Sequence, residues 1–270
     1  MFCSAACNSN QTELPDYLNP ERDIEVRIDD AMSRMTLDEK IAIMDTADRR
    51  KGEEWKANLA DALAGRQPDY LVTHHMEPDH ASLIAEALEM YPDMKLVCSA
   101  QALKMLPNFF VDFSFDGRVI TVKEGDTLSL GSHVLHFIAA PMVHWPEVIV
   151  TYDSFDKVLF SADGFGKFGA LDAEEDWACE ARRYYFNICG KYGAQVAAAL
   201  AKIQAFDIQR IAPLHGCVLE GNEVAEALRL YDIWSRYEVE TDGVLVAHAS
   251  IYGNTAAVAH RIAERLRSKG

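Results

Sequence analysis

Residues 70–80 combine a short apolar run with several residues of types that bind metals. Four of them lie within six positions of each other: His75, Glu77, Asp79 and His80. Leu71–Thr73 favour an extended chain, and Pro78 holds the residue before it extended as well. His75 and Glu77 are two residues apart, so the sequence predicts that they project to the same side.

Imidazole and carboxylate ligands together suit a divalent first-row metal such as iron, manganese or zinc. A structural zinc site would more often use cysteine, and no Cys-x-x-Cys pair occurs in the sequence. The alternative is an ordinary polar turn between a strand and a helix, with Asp79 and His80 in the turn and a helix following them.

Three further ligand types each follow an apolar run: His144, Asp163 and His215. The sum of four histidines and three carboxylates fits two metals bridged by Asp163, about 3.5 to 4 Å apart. Taken singly, each residue has another explanation. His144 beside Trp145 could be a core histidine, Asp163 a turn aspartate, and His215 before Gly216 a cap.

The elements that must position these residues are predicted to alternate at first between strand and helix. Strands are expected at 41–45, 69–73 and 95–99, with helices at 53–64, 81–90 and 101–106. A run of strands follows between Arg118 and Ser161, then helices at 174–189 and 193–205, a strand at 208–212 and a helix at 222–235. This order predicts an α/β fold of the αββα sandwich type.

Composition and charge limit the partners and the cellular compartment that can be expected. The chain has 270 residues, 49% of them hydrophobic, and a formal net charge of -16. Such a charge argues against nucleic acid or an anionic membrane as a partner. The six cysteines show no framework spacing, which indicates reduced thiols and a cytoplasmic protein.

The pattern His75-x-Glu77-x-Asp79-His80, followed by His144, Asp163 and His215, resembles the ligand pattern of the flavodiiron proteins. The sequence between the ligands also resembles that family, at Pro141–Pro146, Phe160–Phe165 and Asp176–Phe186. The resemblance covers about residues 40 to 270 and implies a metallo-β-lactamase-like domain. It implies that one iron is held by His75, Glu77, His144 and Asp163, and the other by Asp79, His80, Asp163 and His215.

The resemblance also implies an activity: reduction of dioxygen to water or of nitric oxide to nitrous oxide. It implies a head-to-tail homodimer that receives electrons from rubredoxin or a similar carrier. Glu77 stands where hydrolytic relatives of the fold usually have histidine, and this charged oxygen ligand favours iron. Trp145 and Tyr185 are candidates for an apolar layer over the irons.

Near the C-terminus, residues 243–249 are predicted to form a buried strand, joined by a loop to a helix at 256–267. This unit resembles the start of a flavodoxin-like domain. The loop residues would hold the phosphate of FMN: Ser250, Ile251, Tyr252, Gly253, Asn254 and Thr255. Hydroxyls and backbone amides at a helix N-terminus suit that anion. A phosphate loop alone is not expected to retain FMN.

At the other end, Tyr17–Pro20 and Arg27–Ile41 resemble the leading segment of family 3 glycoside hydrolases. The expected organisation is therefore an atypical leader at 1–39, the diiron domain at 40–241 and a truncated flavodoxin-like start at 242–270. Two rival functions stay open. One is a zinc hydrolase with a metal-bound hydroxide as nucleophile, and the other is a non-enzymatic metal-binding fragment.

Overall fold

The structure is a computed structural model that describes residues 52–169 and 176–269. The leader at 1–39, the glycosidase-like segment at 17–41 and the strand expected at 41–45 lie outside these residues. The described chain divides into two compact units. The first holds the described residues through Cys98 together with Leu103–Ile120, and the second holds Ser99–Ala102 and the described residues from Thr121 onward.

The first unit is built on a three-stranded sheet of order β1-β2-β3. Its elements, in chain order, are α1 (Gly52–Leu63), β1 (Tyr70–Val72), α2 (Pro78–Ala81), α3 (Ile84–Met90), β2 (Lys95–Ser99), most of α4 (Ala100–Phe109) and the start of β3 (Val119–Val122). Strands β1 and β2 are parallel, with Tyr70 opposite Lys95 and Val72 opposite Val97. A parallel pair needs a crossover between its strands, which α2 and α3 supply. Met76, Leu88 and Leu96 are fully buried and form part of the core.

The second unit is built on a six-stranded sheet in which the strands lie in chain order from β4 to β9. Its elements are β4 (Thr127–Ser129), β5 (Val134–Ala139), β6 (Ile149–Asp153), β7 (Val158–Phe160), α5 (Trp177–Ile188), a 3-10 turn (Gly190–Tyr192), α6 (Gly193–Ile203), β8 (Arg210–Ala212), β9 (Leu219–Glu220), α7 (Asn222–Ser235) and α8 (Asn254–Arg267). All neighbouring strands are antiparallel except β7 and β8, which are parallel.

Helices α6 and α7 bury apolar faces whose residues recur at helical spacing. In α6 these are Val196, Leu200 and Ile203. In α7 the buried residues include Tyr231 and Trp234, which pack with Tyr185 of α5. Ring centroids in this trio lie 5.1 to 5.4 Å apart, the range for favourable aromatic pairs.

Most predicted elements are confirmed to within a few residues. The helix expected at 81–90 is two helices, α2 and α3, because the chain leaves helical geometry near Leu83, whose backbone φ and ψ are -98° and 9°. The sequence prediction also missed β9 and the 3-10 turn, which are too short to show a period.

The strand predicted at 243–249 is wrong: these residues adopt no regular structure, and Leu245 is 90% exposed. A strand needs partners for its backbone hydrogen bonds, and among residues 52–169 and 176–269 no strand pairs with this segment. The helix that follows does form, as α8, beginning at Asn254 after Gly253.

Within the described residues, no helix is both long enough and apolar enough to cross a membrane.

His133, just before β5, gives a pH-dependent contact that can be measured. Its Nδ1 lies 2.6 Å from Oδ2 of Asp153. The hydrogen bond to Asp153 raises the pKa of His133, and the charges of Asp153 and Asp156 add to the rise. A raised pKa stabilises the fold fully below the ordinary value of about 6.5, and this contribution is lost as pH rises through the folded-state pKa.

We therefore expect an NMR titration of His133 to give a pKa above about 6.5. In Asp153→Asn the pKa should fall back toward that value, and the stability difference from wild type should shrink as pH rises. An unchanged His133 titration in the variant would contradict the assigned contact.

Candidate metal centre

In the first unit, the predicted ligands follow β1 directly. The backbone N–H of Thr73 donates to the carbonyl of Val97 at 2.9 Å, which fixes where the chain leaves the sheet. Glu77 precedes Pro78 and is extended, with φ -61° and ψ 136°, as expected. Nε2 of His75 lies 3.1 Å from Oε2 of Glu77, which confirms that the two side chains share a side.

Asp79 and His80 were predicted to lie in a turn before the helix, but they lie within the short helix α2, which begins earlier, at Pro78. Nε2 of His80 lies 3.2 Å from Oδ2 of Asp79. The rings of His75 and His80 are 5.7 Å apart between centroids. The four predicted ligands of this unit thus form one compact group of two imidazoles and two carboxylates.

In the second unit, the predicted ligands lie on three loops that follow β5, β7 and β8. Asp163 is only 1% exposed. Its Oδ2 lies 3.0 Å from Nε2 of His144, and its Oδ1 lies 3.7 Å from Nε2 of His215. Each oxygen of one buried carboxylate therefore faces a different imidazole, an arrangement that suits a carboxylate shared by two metal ions.

The loops after β7 and β8 are tied to each other. The N–H of Leu214 donates to the carbonyl of Ala162 at 2.8 Å, and the N–H of Lys167 donates to the carbonyl of His215 at 3.3 Å. Gly216 has φ +98°, and a Cβ there would meet Cγ of Lys167 at 2.8 Å. Glycine is needed at this position both for the backbone conformation and for the close packing.

Two buried groups near Asp163, the Cys189 thiol and the Tyr231 phenol, have raised pKa values. Burial raises the pKa of the Cys189 thiol to about 12, and the charge of Asp163 adds to the rise. Burial likewise raises the pKa of Tyr231, with smaller contributions from Cys189 and Asp163. The Asp163 carboxylate therefore lies near a thiol and a phenol that hold their protons at neutral pH.

The histidines outside the predicted ligand set are buried or pack against other rings. Burial lowers the pKa of His74 to about 4, so this imidazole is neutral at pH 7. His136 packs against Tyr152 and Phe206, and His248 packs against His260. Of the two aromatic candidates, Trp145 lies 6.1 Å from His144 between ring centroids, and Tyr185 is fully buried against Tyr231 and Trp234.

The donors in each group fit a first-row divalent metal. Imidazole nitrogens and carboxylate oxygens are the atoms within reach of each other, and such mixed donors suit iron, manganese and zinc. The sequence identified these residues by type. It gave no sign that the hydroxyl of Tyr231 accepts a hydrogen bond from the N–H of Phe165, two residues after Asp163, because Tyr231 is far away in the chain.

Comparisons with known proteins agree with this geometry. The family model described as "ODP family beta lactamase" matches residues 33–216, which include all seven predicted metal ligands. The match begins within the segment assigned to the leader. The matches do not support the resemblance of residues 17–41 to glycoside hydrolases.

Curated relatives that cover 86% of this chain include the following two. A diflavin flavoprotein A 1 from Synechocystis is 32% identical over 240 residues, and an anaerobic nitric oxide reductase flavorubredoxin from Escherichia coli is 30% identical over 242 residues. The chain spans 41% and 50% of their respective lengths.

Among solved structures, rubredoxin oxygen:oxidoreductase from Desulfovibrio gigas is 27% identical with a TM-score of 0.64, and the match covers 80% of this chain and 57% of that one. The predicted α/β fold of the metallo-β-lactamase type is thereby confirmed. The chain belongs to the ODP family of β-lactamase-like proteins and carries the metallo-β-lactamase-like core of the flavodiiron proteins.

Proposed function

We propose that this chain is the core of a flavodiiron-type oxidoreductase that reduces dioxygen to water, nitric oxide to nitrous oxide, or both. The observation that carries the proposal is the buried Asp163 carboxylate with an imidazole nitrogen near each oxygen. The relatives support the reaction class, since one is named a nitric oxide reductase and another an oxygen oxidoreductase.

The proposed ligand sets follow the family pattern. His75, Glu77, His144 and Asp163 would hold one iron, and Asp79, His80, Asp163 and His215 the other. Each unit by itself gathers its share of these residues, and the family match spans both units. When bound, the two irons would supply the redox-active, electrophilic site at which a diatomic substrate is reduced, with further electrons delivered by a donor.

The protein residues around Asp163 hold this carboxylate in a fixed and largely dry place. Val143 precedes His144, Phe165 is two residues after Asp163, and both apolar side chains are buried. Burial strengthens the attraction between the carboxylate and a cation, because few water dipoles screen it. Glu77 adds a second charged oxygen donor to this set. A carboxylate in that place favours ferric iron more than a neutral imidazole would.

Electrons would come from FMN and from rubredoxin or a similar carrier. We propose that Ser250–Thr255 contribute to the FMN phosphate site, in a flavodoxin-like region starting near 242 that follows a diiron domain from about residue 40. Gly253 is left-handed at φ +82° and caps α8, whose first N–H groups suit an anion. A head-to-tail homodimer would bring the flavin of one subunit to the irons of the other.

A cytoplasmic setting is part of the proposal. The free cysteines of the described residues, Cys98, Cys179, Cys189 and Cys217, suit a reducing compartment.

Metal content is the direct test. We expect elemental analysis of the purified chain to find about two irons per chain, because two sets of imidazole and carboxylate donors would share one carboxylate. Two zincs without iron would favour the zinc hydrolase instead, and thioester or lactam hydrolysis would then be assayed. A chain without metal and without a cooperative unfolding transition would support the non-enzymatic fragment.

A further inference from the structure

The loop that carries Asp163 has an unusual backbone. It runs from Ser161 to Gly166, and two of its residues that are not glycine have positive φ: Ala162 at 52° and Phe165 at 66°. Such conformations are unfavourable for residues with a side chain and persist only where surrounding contacts hold them. The contacts of this loop therefore determine where the Asp163 carboxylate lies.

Some of these contacts are internal to the loop. The hydroxyl of Ser161 donates to the carbonyl of Gly164 at 2.7 Å, and the N–H of Gly166 donates to the carbonyl of Asp163 at 3.1 Å. Internal bonds can shape a loop, but they do not fix it relative to the rest of the unit, and the bond from the N–H of Leu214 to the carbonyl of Ala162 joins it only to the loop after β8.

One contact connects the loop to a rigid helix. The N–H of Phe165 donates to the hydroxyl oxygen of Tyr231 at 2.6 Å, and both groups are buried. Tyr231 lies on α7, where its ring packs 4.2 Å from that of Phe165 and 5.3 Å from that of Trp234, between centroids. The hydroxyl is thereby held in place by the core.

We propose that Tyr231 is a positioning residue for the metal centre. Its hydroxyl fixes the loop so that the Asp163 carboxylate faces His144 and His215 before any metal binds. The inference rests on the proposed function, since it assigns Tyr231 a role only if Asp163 is a metal ligand. Groups that orient a ligand without touching the metal typically change metal affinity by about 10- to 100-fold when removed.

The alternative is that the Tyr231 hydroxyl only satisfies a buried N–H group. Its loss would then weaken the fold without changing how the folded chain binds metal. Tyr237 offers a matched control, because its hydroxyl donates to the carbonyl of Gly190 at 2.7 Å in the same unit. Neither Tyr237 nor Gly190 adjoins a proposed ligand in sequence.

The experiment compares full-length wild type, Tyr231→Phe and Tyr237→Phe. Ferrous iron affinity is measured anaerobically by competition with a chromophoric chelator, and amide hydrogen exchange is measured on the metal-free chains. We expect Tyr231→Phe to bind at least one iron about 10- to 100-fold more weakly and to exchange faster at Gly164–Gly166. Tyr237→Phe should match wild type in iron affinity and in exchange at that loop.

The proposal is overturned if Tyr231→Phe binds iron like wild type, or if both variants lose affinity equally. A wild-type chain that binds no iron would overturn the proposed function, and the role of Tyr231 with it. The two failures are thus distinguished by the wild-type measurement alone. Thermal unfolding of the metal-free chains confirms that each variant is folded when its affinity is measured.

Discussion

Replacing Asp163 with Asn is expected to abolish stable iron binding while leaving a folded chain. Asn has nearly the same shape, but it replaces one of two charged oxygens with an NH₂ group that cannot bind a metal. Loss of an outer-shell partner alone costs about 10- to 100-fold in metal affinity, so loss of a shared ligand should exceed about 100-fold. Chelator competition with ferrous iron measures the change.

Asp153→Asn is the matched control. Asp153 is also a buried aspartate of the second unit, and it also lies beside a histidine ring nitrogen, that of His133. It belongs to neither proposed ligand set, so this variant should keep about two irons per chain. Full iron content in Asp163→Asn, or equal loss in both variants, would show that Asp163 is not the shared ligand.

The second large effect is expected at Trp234. This side chain is 1% exposed and packs against Tyr185 and Tyr231, and its Nε1 donates to Glu240. Trp234→Ala would leave a cavity and remove the indole hydrogen bond to Glu240, whose carboxylate keeps its ion pair with Arg182. The expected cost is about 3 to 5 kcal/mol in the free energy of unfolding. Urea unfolding of the metal-free chain, followed by circular dichroism, measures this.

Phe186→Ala provides the comparison. Phe186 borders the same aromatic group, 6.3 Å from Trp234 between ring centroids, but it is 48% exposed. Its removal should cost about 1 kcal/mol or less, because much of its surface already contacts water. Equal costs for the two variants would mean that the aromatic group does not form the stabilising core of the second unit.

The sequence predicted those elements whose period is visible in a single segment. The alternation of apolar and polar residues between Arg118 and Ser161 predicted β3 to β7, and the helix expected at 222–235 forms as α7. The candidate metal ligands could also be found in the sequence, because several histidine and carboxylate residues at the ends of apolar runs are uncommon without a function.

What the sequence could not predict depends on partners far away in the chain. Residues 243–249 have a strand-like composition, but strand formation requires neighbours that composition does not reveal. In the sequence, Tyr231 cannot be distinguished from an ordinary core tyrosine, because only the fold brings its hydroxyl to the N–H of Phe165. The positive φ of Ala162 was equally hidden, since no glycine marks it.

The parallel pairing of β7 with β8 sets the order in which the second unit can be assembled during folding. Strands β4 to β7 pair with their neighbours in sequence, so they close short loops and should form early. Joining Val158 to Arg210 requires the intervening helices to be in place, which makes it a slow, long-range step. Asp163 follows β7 and His215 follows β8, so these two proposed ligands meet only at that late step. On the proposed assignment, the rate of iron uptake during refolding should therefore follow the slowest folding phase.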